Sequence, residues 1–369
     1  MPIKKRAYII TLITITLLLL AGGIFTLRYK GSVVTTLPSP PLKELAHKHG
    51  IEIGNFAILT RIGERPYRDI LTSQFDFVLA DNTPNWYFTD GGLRPSSTTY
   101  NFKQLDKVFS FAEKNHMPVQ AHHYLWGEEK WLPDWLKNGH YNKDQLYQIM
   151  HDHIQTVGSR YKGKVREWTV VNEAFTRGQH MYGLHDWWAD NTGGGQEYID
   201  KAFIWAHEVD PDAKLILNDF QNEARNDISD SMYNYIKDAK ARGIPIDGIG
   251  MQMHIDGTHP PTKDEVASNM KRFGDLGVEV YVTELDVNMN DVKANNPDDK
   301  DTIQADIYYE MARACVESKV CHSFAILGIT DKENWYNYLG LPDARPLPFD
   351  KQYNPKPAFF SLRDAFTQE

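Results

Sequence analysis

"VREWTVVNEAF", residues 165–175, reads as a buried strand that ends in an amide and a carboxyl. Val165, Trp168, Val170 and Val171 supply the apolar run, and Asn172 and Glu173 follow it directly, where turn residues or a cap would be ordinary. A helix-capping pair would explain two such residues in isolation. The same event recurs along the chain, and the recurrence decides the fold.

Seven further runs read as strands: 51–59, 75–81, 117–126, 213–220, 246–254, 278–287 and 322–331. Amphipathic helical patterns lie between them. In "NFKQLDKVFSFAEKN", Phe102, Leu105, Val108, Phe109 and Ala112 share one face. "NKDQLYQIMHDHIQTVGSRY" and "IQADIYYEMARACVES" behave alike, and "NDISDSMYNYIKDAKARG" begins at an Asp227 cap candidate and stops at Gly243. Strands alternating with helices over about 320 residues, with no break in composition, predict a (β/α)8 TIM barrel of the α/β class. A doubly wound open sheet is the alternative, but no Gly-rich phosphate loop comes after the first strand.

The chain has 369 residues, 41% hydrophobic and 24% charged, a globular composition whose length suits one large domain or two ordinary ones; the unbroken barrel pattern predicts a single domain over 43–369. Net charge is −9 with no basic block beyond residue 30, so nucleic acid is not an expected partner. Nine Trp and nineteen Tyr suit sugar stacking as well as core packing. At the N-terminus, the basic flank 1–6 precedes a charge-free run, 7–27, long enough to span a bilayer of roughly 30 Å. An uncleaved signal anchor is the expectation, a cleaved signal peptide the alternative, and either would export the barrel region. Residues 28–42, with "GSVVTTLPSPP", read as a linker. In an oxidising compartment Cys315 and Cys321 read as a local disulfide between a helix and the next strand, with free thiols as the alternative.

In a barrel of this kind the strand C-terminal ends converge on one mouth. They bring Asp81 and Asn82, His122, His123 and Trp126, Asn172 and Glu173, Asn218 and Asp219, Gln252 and His254, Glu284 and Asp286, then Thr330, Asp331 and Trp335. Glu173 and Glu284, from opposite sides, form the carboxylate pair that glycoside hydrolysis requires, one to donate a proton and one to attack. The histidines lack metal-ligand spacing, so no metal and no cofactor is expected; His151 and His153 read as surface or second-layer residues. Asp219 reads as support for the fifth turn.

On these residues the chain resembles glycoside hydrolase family 10, the endo-β-1,4-xylanase family. "AHHYLW", "WTVVNEAF", "LILNDF", "DGIGMQMH", "VYVTELDV", "GITDKENW" and "FDKQYNPKPAFFSL" are similar to its motifs in order, from about residue 43 to 366. The resemblance implies a retaining endo-β-1,4-glycanase, most simply a xylanase, with Glu173 as acid/base and Glu284 as nucleophile, their carboxyls about 5–5.5 Å apart. It implies Asn172 on the sugar 2-hydroxyl, His254 on the nucleophile and Asp286 orienting His254. Gln252, His122 and Trp126 would line the −1 subsite, Asp81, Asn82 and Asn85 the glycone end, and Trp335 an aromatic wall. A Cys315–Cys321 bridge is also common in the family.

Departures from the family pattern cluster on the glycone side: Asn85 for a lysine, Gly127 for a histidine, Leu327 for a tryptophan, and Asp81 for a glutamate. They imply altered sugar preference beside conserved chemistry, with Tyr87, Phe88, Trp187 and Trp188 as candidate replacement walls. The expected partners are a polysaccharide and, through 7–27, a membrane, and a monomer is expected. The alternatives are an exported carbohydrate-binding protein with a xylanase-like cleft and little or no turnover, and a retaining glycosidase for another β-glycan.

Overall fold

A computed structural model describes residues 37–80, 86, 92–177, 181–182, 186–294 and 296–368. The chain divides into two units, Met1–Ser39 and Pro40–Glu369. The expected flank 1–6, anchor 7–27 and the linker as far as 36 lie outside the described residues, as do Asp81, Asn82, Asn85, Tyr87 and Phe88. Among the described residues no helix is long and apolar enough to cross a membrane. Leu42, the last residue of the expected linker, already begins a short packed helix, Leu42–His47.

Strands and helices then alternate. The first half runs β1 (Glu52–Phe56), α1 (Arg65–Gln74), β2 (Phe77–Ala80), α2 (Lys103–Lys114), β3 (Val119–Trp126), α3 (Lys143–Tyr161), β4 (Val165–Asn172) and α4 (Glu197–Val209). The second runs β5 (Lys214–Asp219), α5 (Asp227–Ala241), β6 (Gly248–Met251), α6 (Lys263–Gly274), β7 (Glu279–Asn288), α7 (Pro297–Ser318), β8 (Cys321–Ile326) and α8 (Pro357–Ala365). Each strand pairs in parallel with the next, and β8 pairs with both β7 and β1, which closes the barrel. All eight expected strands are present. Most are shorter than the runs that predicted them, trimmed at one or both ends.

Local chemistry sets the helix ends. Asn142 and Gln145 form a reciprocal capping box on α3, and Thr262 with Glu265 does the same on α6. The cap of α5 is Asn226, whose side chain accepts from Ser229 N; Asp227, the expected cap, is the first helical residue. There its charge still favours the positive helix end. Helix α7 begins at Asn296 and Pro297, earlier than its apolar pattern, and ends at Lys319 with φ 62°. The Cys315–Cys321 disulfide spans that turn into β8.

The two mouths differ. At the strand N-terminal mouth, Arg166 meets Glu52 at 2.5 Å and Glu167 at 2.7 Å, Lys214 meets Glu279 at 3.0 Å, and Tyr281 donates to Glu279. With Pro118 and His322 these side chains surround a cavity of about 370 Å³. The opposite mouth collects the polar strand ends.

Candidate active site

Three strand ends leave their strands through left-handed residues. Glu173 comes after β4 with φ 55°, Gln221 after β5 with φ 56°, and Met253 after β6 with φ 59°. Such conformations cost non-glycine residues free energy and persist where surrounding contacts enforce them. The Glu173 N–H donates to Asn218 O at 2.9 Å, which ties the pivot to the neighbouring strand. Asp219 accepts from Phe175 N at 2.8 Å and from Phe220 N at 2.9 Å, so it holds the loop that carries Glu173. Register shifts between His122 and Leu125 on β3, and between Val282 and Leu285 on β7, re-aim the ends that carry Trp126 and Glu284.

An amide chain links the two carboxyls. Asn172 Nδ2 donates to Glu173 Oε1 at 3.1 Å, while Asn172 Oδ1 accepts from Asn218 Nδ2 at 2.8 Å. The same Asn218 nitrogen reaches Glu284 Oε1 at 3.0 Å. Thr283 Oγ1 donates to Asn218 Oδ1 at 2.8 Å and fixes the amide's orientation. Gly250 makes room for this crossing, since a Cβ there would stand 1.9 Å from Asn218 Oδ1. Gln252 Nε2 adds bonds to Glu173 Oε1 at 3.1 Å and Asn172 Oδ1 at 3.2 Å, and Trp126 Nε1 donates to Glu173 Oε2 at 2.8 Å.

Charge is distributed unequally over the pair. Burial pushes the Glu173 carboxyl above the usual carboxylate range, although Gln252, Trp126 and Asn172 all donate to it and pull the other way. Beside Glu284 stand two histidines in opposite states. Burial, helped by the charge of His254, pushes His122 down to about 3, so it is neutral; it lies 3.7 Å from Glu284 Oε1 and reaches Thr169 Oγ1 at 3.2 Å. Burial would lower His254 too, but Asp286 and then Glu284 outweigh it and push it up to about 9. Protonated His254 sits 3.1 Å from Asp286 Oδ1 and 3.7 Å from Glu284 Oε2. The short strand His254–Asp256 pairs His254 directly with Asp286 on β7, which explains their approach. Asp286 is held in turn by Trp335 Nε1 at 2.6 Å and Tyr336 OH at 2.9 Å.

The structure therefore brings together Asn172, Glu173, Gln252, His254, Glu284, Asp286, His122, Trp126 and Trp335 at one mouth. Asn218, Thr283, Thr169 and Tyr336 complete the network. Sequence reasoning counted Asn218 only as a polar strand end and passed over the others; adjacency to Asp219 and Glu284 was the available signal. Trp188 is not a cleft wall: it is fully buried, edge-on to Trp86 at 5.5 Å, with the nearly buried Trp187 against it. His153 lies in a second layer, stacked on Trp86 at 4.0 Å.

Two of the positions expected to depart from the family pattern, Leu327 and Gly127, have clear surroundings. Leu327 packs on Phe56, Phe77, Leu79 and Ala325 beside Ile58, and its N–H donates to Leu285 O at 3.1 Å. Gly127 lies under Asp186: a Cβ would meet Asp186 Cβ and Cγ at 2.4 Å. Asp186 in turn accepts from Ala189 N at 2.7 Å and Tyr198 OH at 2.5 Å. Among the described residues no group of three or more His, Cys, Asp or Glu side chains is placed to hold a metal.

A half-buried carboxyl and a buried one in unlike environments, bridged by amides at a barrel mouth, suit acid-assisted displacement at a sugar acetal. Comparison with known proteins agrees. The model of glycosyl hydrolase family 10 matches residues 41–365. Endo-1,4-beta-xylanase B of Thermotoga neapolitana is 35% identical over 89% of this chain and 92% of its own length. A beta-1,4-xylanase of Dictyoglomus thermophilum is 34% identical over 95% of this chain and 97% of its own. The crystal structure of xylanase 10B from Thermotoga petrophila, in complex with xylobiose, superposes with a TM-score of 0.80 at 34% identity, covering 89% of this chain and 98% of that one.

Proposed function

The chain belongs to glycosyl hydrolase family 10 and is a glycoside hydrolase of the endo-xylanase kind; from that premise we propose that Glu173 and Glu284 carry a retaining double displacement on a β-1,4-linked xylan chain. In the first step Glu284 attacks the anomeric carbon as the bond to the leaving oxygen breaks, and the Glu173 proton goes to that oxygen. In the second, Glu173, now a carboxylate, takes a proton from the water that attacks the glycosyl-enzyme ester and releases Glu284. Burial, which raises the Glu173 carboxyl above the usual carboxylate range, favours the acid role, and the positive His254 beside Glu284 favours an ionised nucleophile. Asn172 is positioned to hold a sugar hydroxyl between the two. Trp126 and Gln252 aim the acid, and Asp286 keeps His254 charged.

The observation that carries this reading is the amide chain from Glu173 through Asn172 and Asn218 to Glu284, joining carboxyls of opposite electrostatic setting. Its test is leaving-group dependence. Glu173→Ala should slow an aryl β-xylobioside with a poor leaving group by on the order of 10²–10⁴, should barely slow one with a good leaving group in the first step, and should be rescued by azide. Glu284→Ala should be inactive on both. Equal losses for both leaving groups would remove Glu173 from the acid role.

A second reading concerns the sugar rather than the chemistry. Leu327 and Ile58 put apolar surface at the end of β8 and beyond β1, and the buried Asp186 carboxylate fills the space beside Gly127, where the family resemblance implies a histidine. This favours a glycone preference different from that of an ordinary xylanase. Product analysis on xylan, glucuronoxylan and mixed β-glucan decides between them: equal or better turnover of β-glucan supports the second reading, and strict xylan cleavage removes it.

A further inference from the structure

Beyond β8 the chain makes a short 3-10 helix, Trp335–Leu339, whose exposure is out of keeping with its composition. Among the described residues four large hydrophobic side chains are exposed, and two are consecutive here: Tyr338 at 92% and Leu339 at 56%. Isolated exposed apolar residues are ordinary, but an adjacent aromatic and aliphatic pair on a segment anchored to Asp286 is a candidate contact surface.

This tip is held, not frayed. Asn334 caps the helix by accepting from Tyr336 N at 3.1 Å, and its amide donates to Pro342 O at 3.3 Å. Gly340, with φ 75°, ends it, and Leu341 N returns to Tyr336 O at 3.0 Å. The first two residues root it in the site: Trp335 and Tyr336 both donate to Asp286, and Trp335 stands edge-on to His254 at 5.3 Å. In a 3-10 helix residues three apart eclipse, with a rise of about 2.0 Å per residue. Tyr338 therefore repeats the face of Trp335 about 6 Å further along the axis, a step comparable with the length of one pyranose unit.

We propose that Tyr338, with Leu339 beside it, is a sugar-binding platform that extends the cleft beyond the catalytic pair and takes a further unit of the polysaccharide chain. The inference rests on the glycan-cleaving role of the Glu173–Glu284 pair. A rigid, amphipathic phenol loses little entropy on contact, and Tyr is over-represented among residues that dominate binding. Tyr338 touches neither carboxyl nor their amides, so its contribution lies in binding long chains and not in bond cleavage.

The test compares chain lengths. Tyr338→Ala should raise KM on glucuronoxylan roughly three- to tenfold, with kcat within a factor of about two. Hydrolysis of an aryl β-xylobioside should be unchanged, and Tyr338→Trp should restore the polymer KM. An unchanged polymer KM would overturn the proposal, and so would equal loss on both substrates, which would make the tip a scaffold for Asp286. Electrophoretic retardation in a glucuronoxylan gel reads binding without turnover. If the wild type cleaved neither substrate, the catalytic reading would fall; retardation weakened by Tyr338→Ala would still support the platform, and equal migration would sink it.

Discussion

Glu173 shows how one residue is tuned for two opposed demands. In the proposed mechanism it keeps its proton until the leaving oxygen arrives, yet serves as a base afterwards. Burial raises its affinity for the proton, and donors from Gln252, Trp126 and Asn172 moderate that rise. Removing a donor therefore moves the balance in a known direction. In Gln252→Ala the carboxylate form loses a hydrogen bond, so Glu173 holds its proton to higher pH and the alkaline limb of kcat/KM shifts upward. Asn172 also loses a restraint, and kcat should fall on the order of tenfold to a hundredfold. A pH–rate profile of wild type and mutant measures both effects; an alkaline limb that moved downward would contradict this account of the acid.

At the scale of elements, strand ends do the positioning and loops lock them. Asp219 at the end of β5 holds the loop after β4, and the helix beginning at Trp187 is capped by Asp186, which packs on Gly127 at the end of β3. Three consecutive βα units are thereby coupled around the acid. Gly127→Ala tests the coupling. Its methyl would overlap the Asp186 carboxylate, which cannot move without releasing Ala189 N and Tyr198 OH. Destabilisation of about 1–3 kcal/mol is expected from overpacking a buried site. Urea unfolding measures it, and a stability unchanged within about 0.5 kcal/mol would mean that the loop repacks freely.

The whole molecule separates its two tasks between the barrel mouths. The mouth at the strand C-terminal ends collects the proposed catalytic residues, and the other carries a network of Arg166, Lys214, Glu52, Glu167, Glu279, Tyr281 and His322. There burial pushes Glu167 up to about 7, against the pull of Arg166, with Glu52 and Glu279 adding to the rise. A carboxyl whose native pKa exceeds its ordinary 4.5 binds its proton more tightly in the folded state, so its contribution to stability falls as pH rises from about 4.5 to about 7. Glu167→Gln removes that dependence. Relative to wild type, the mutant should gain on the order of 1–3 kcal/mol between pH 4.5 and pH 8, mostly below about 7. Unfolding curves at the two pH values measure the gain; a relative loss on raising the pH would show that Glu167 is held ionised by Arg166.

Much of this was legible in the residues themselves. Apolar runs of strand length, helical periodicity between them and polar residues at the strand ends are local patterns, and from them the barrel, its eight strands and the convergence of Glu173 and Glu284 on one mouth could be read. Helix starts were legible less well: Asn226 caps α5 where Asp227 was expected, because a cap depends on one side-chain bond and not on a pattern. What only the tertiary structure decided is how groups far apart in sequence meet. Asn218 joins Asn172 to Glu284 because Gly250 leaves room, His254 is charged and His122 neutral because Asp286 lies beside one and not the other, and Trp188 is core because Trp86 packs against it. The physical reason is common to all three. Burial, electrostatic sign and steric room are properties of neighbours brought together by folding, and no run of residues carries them alone.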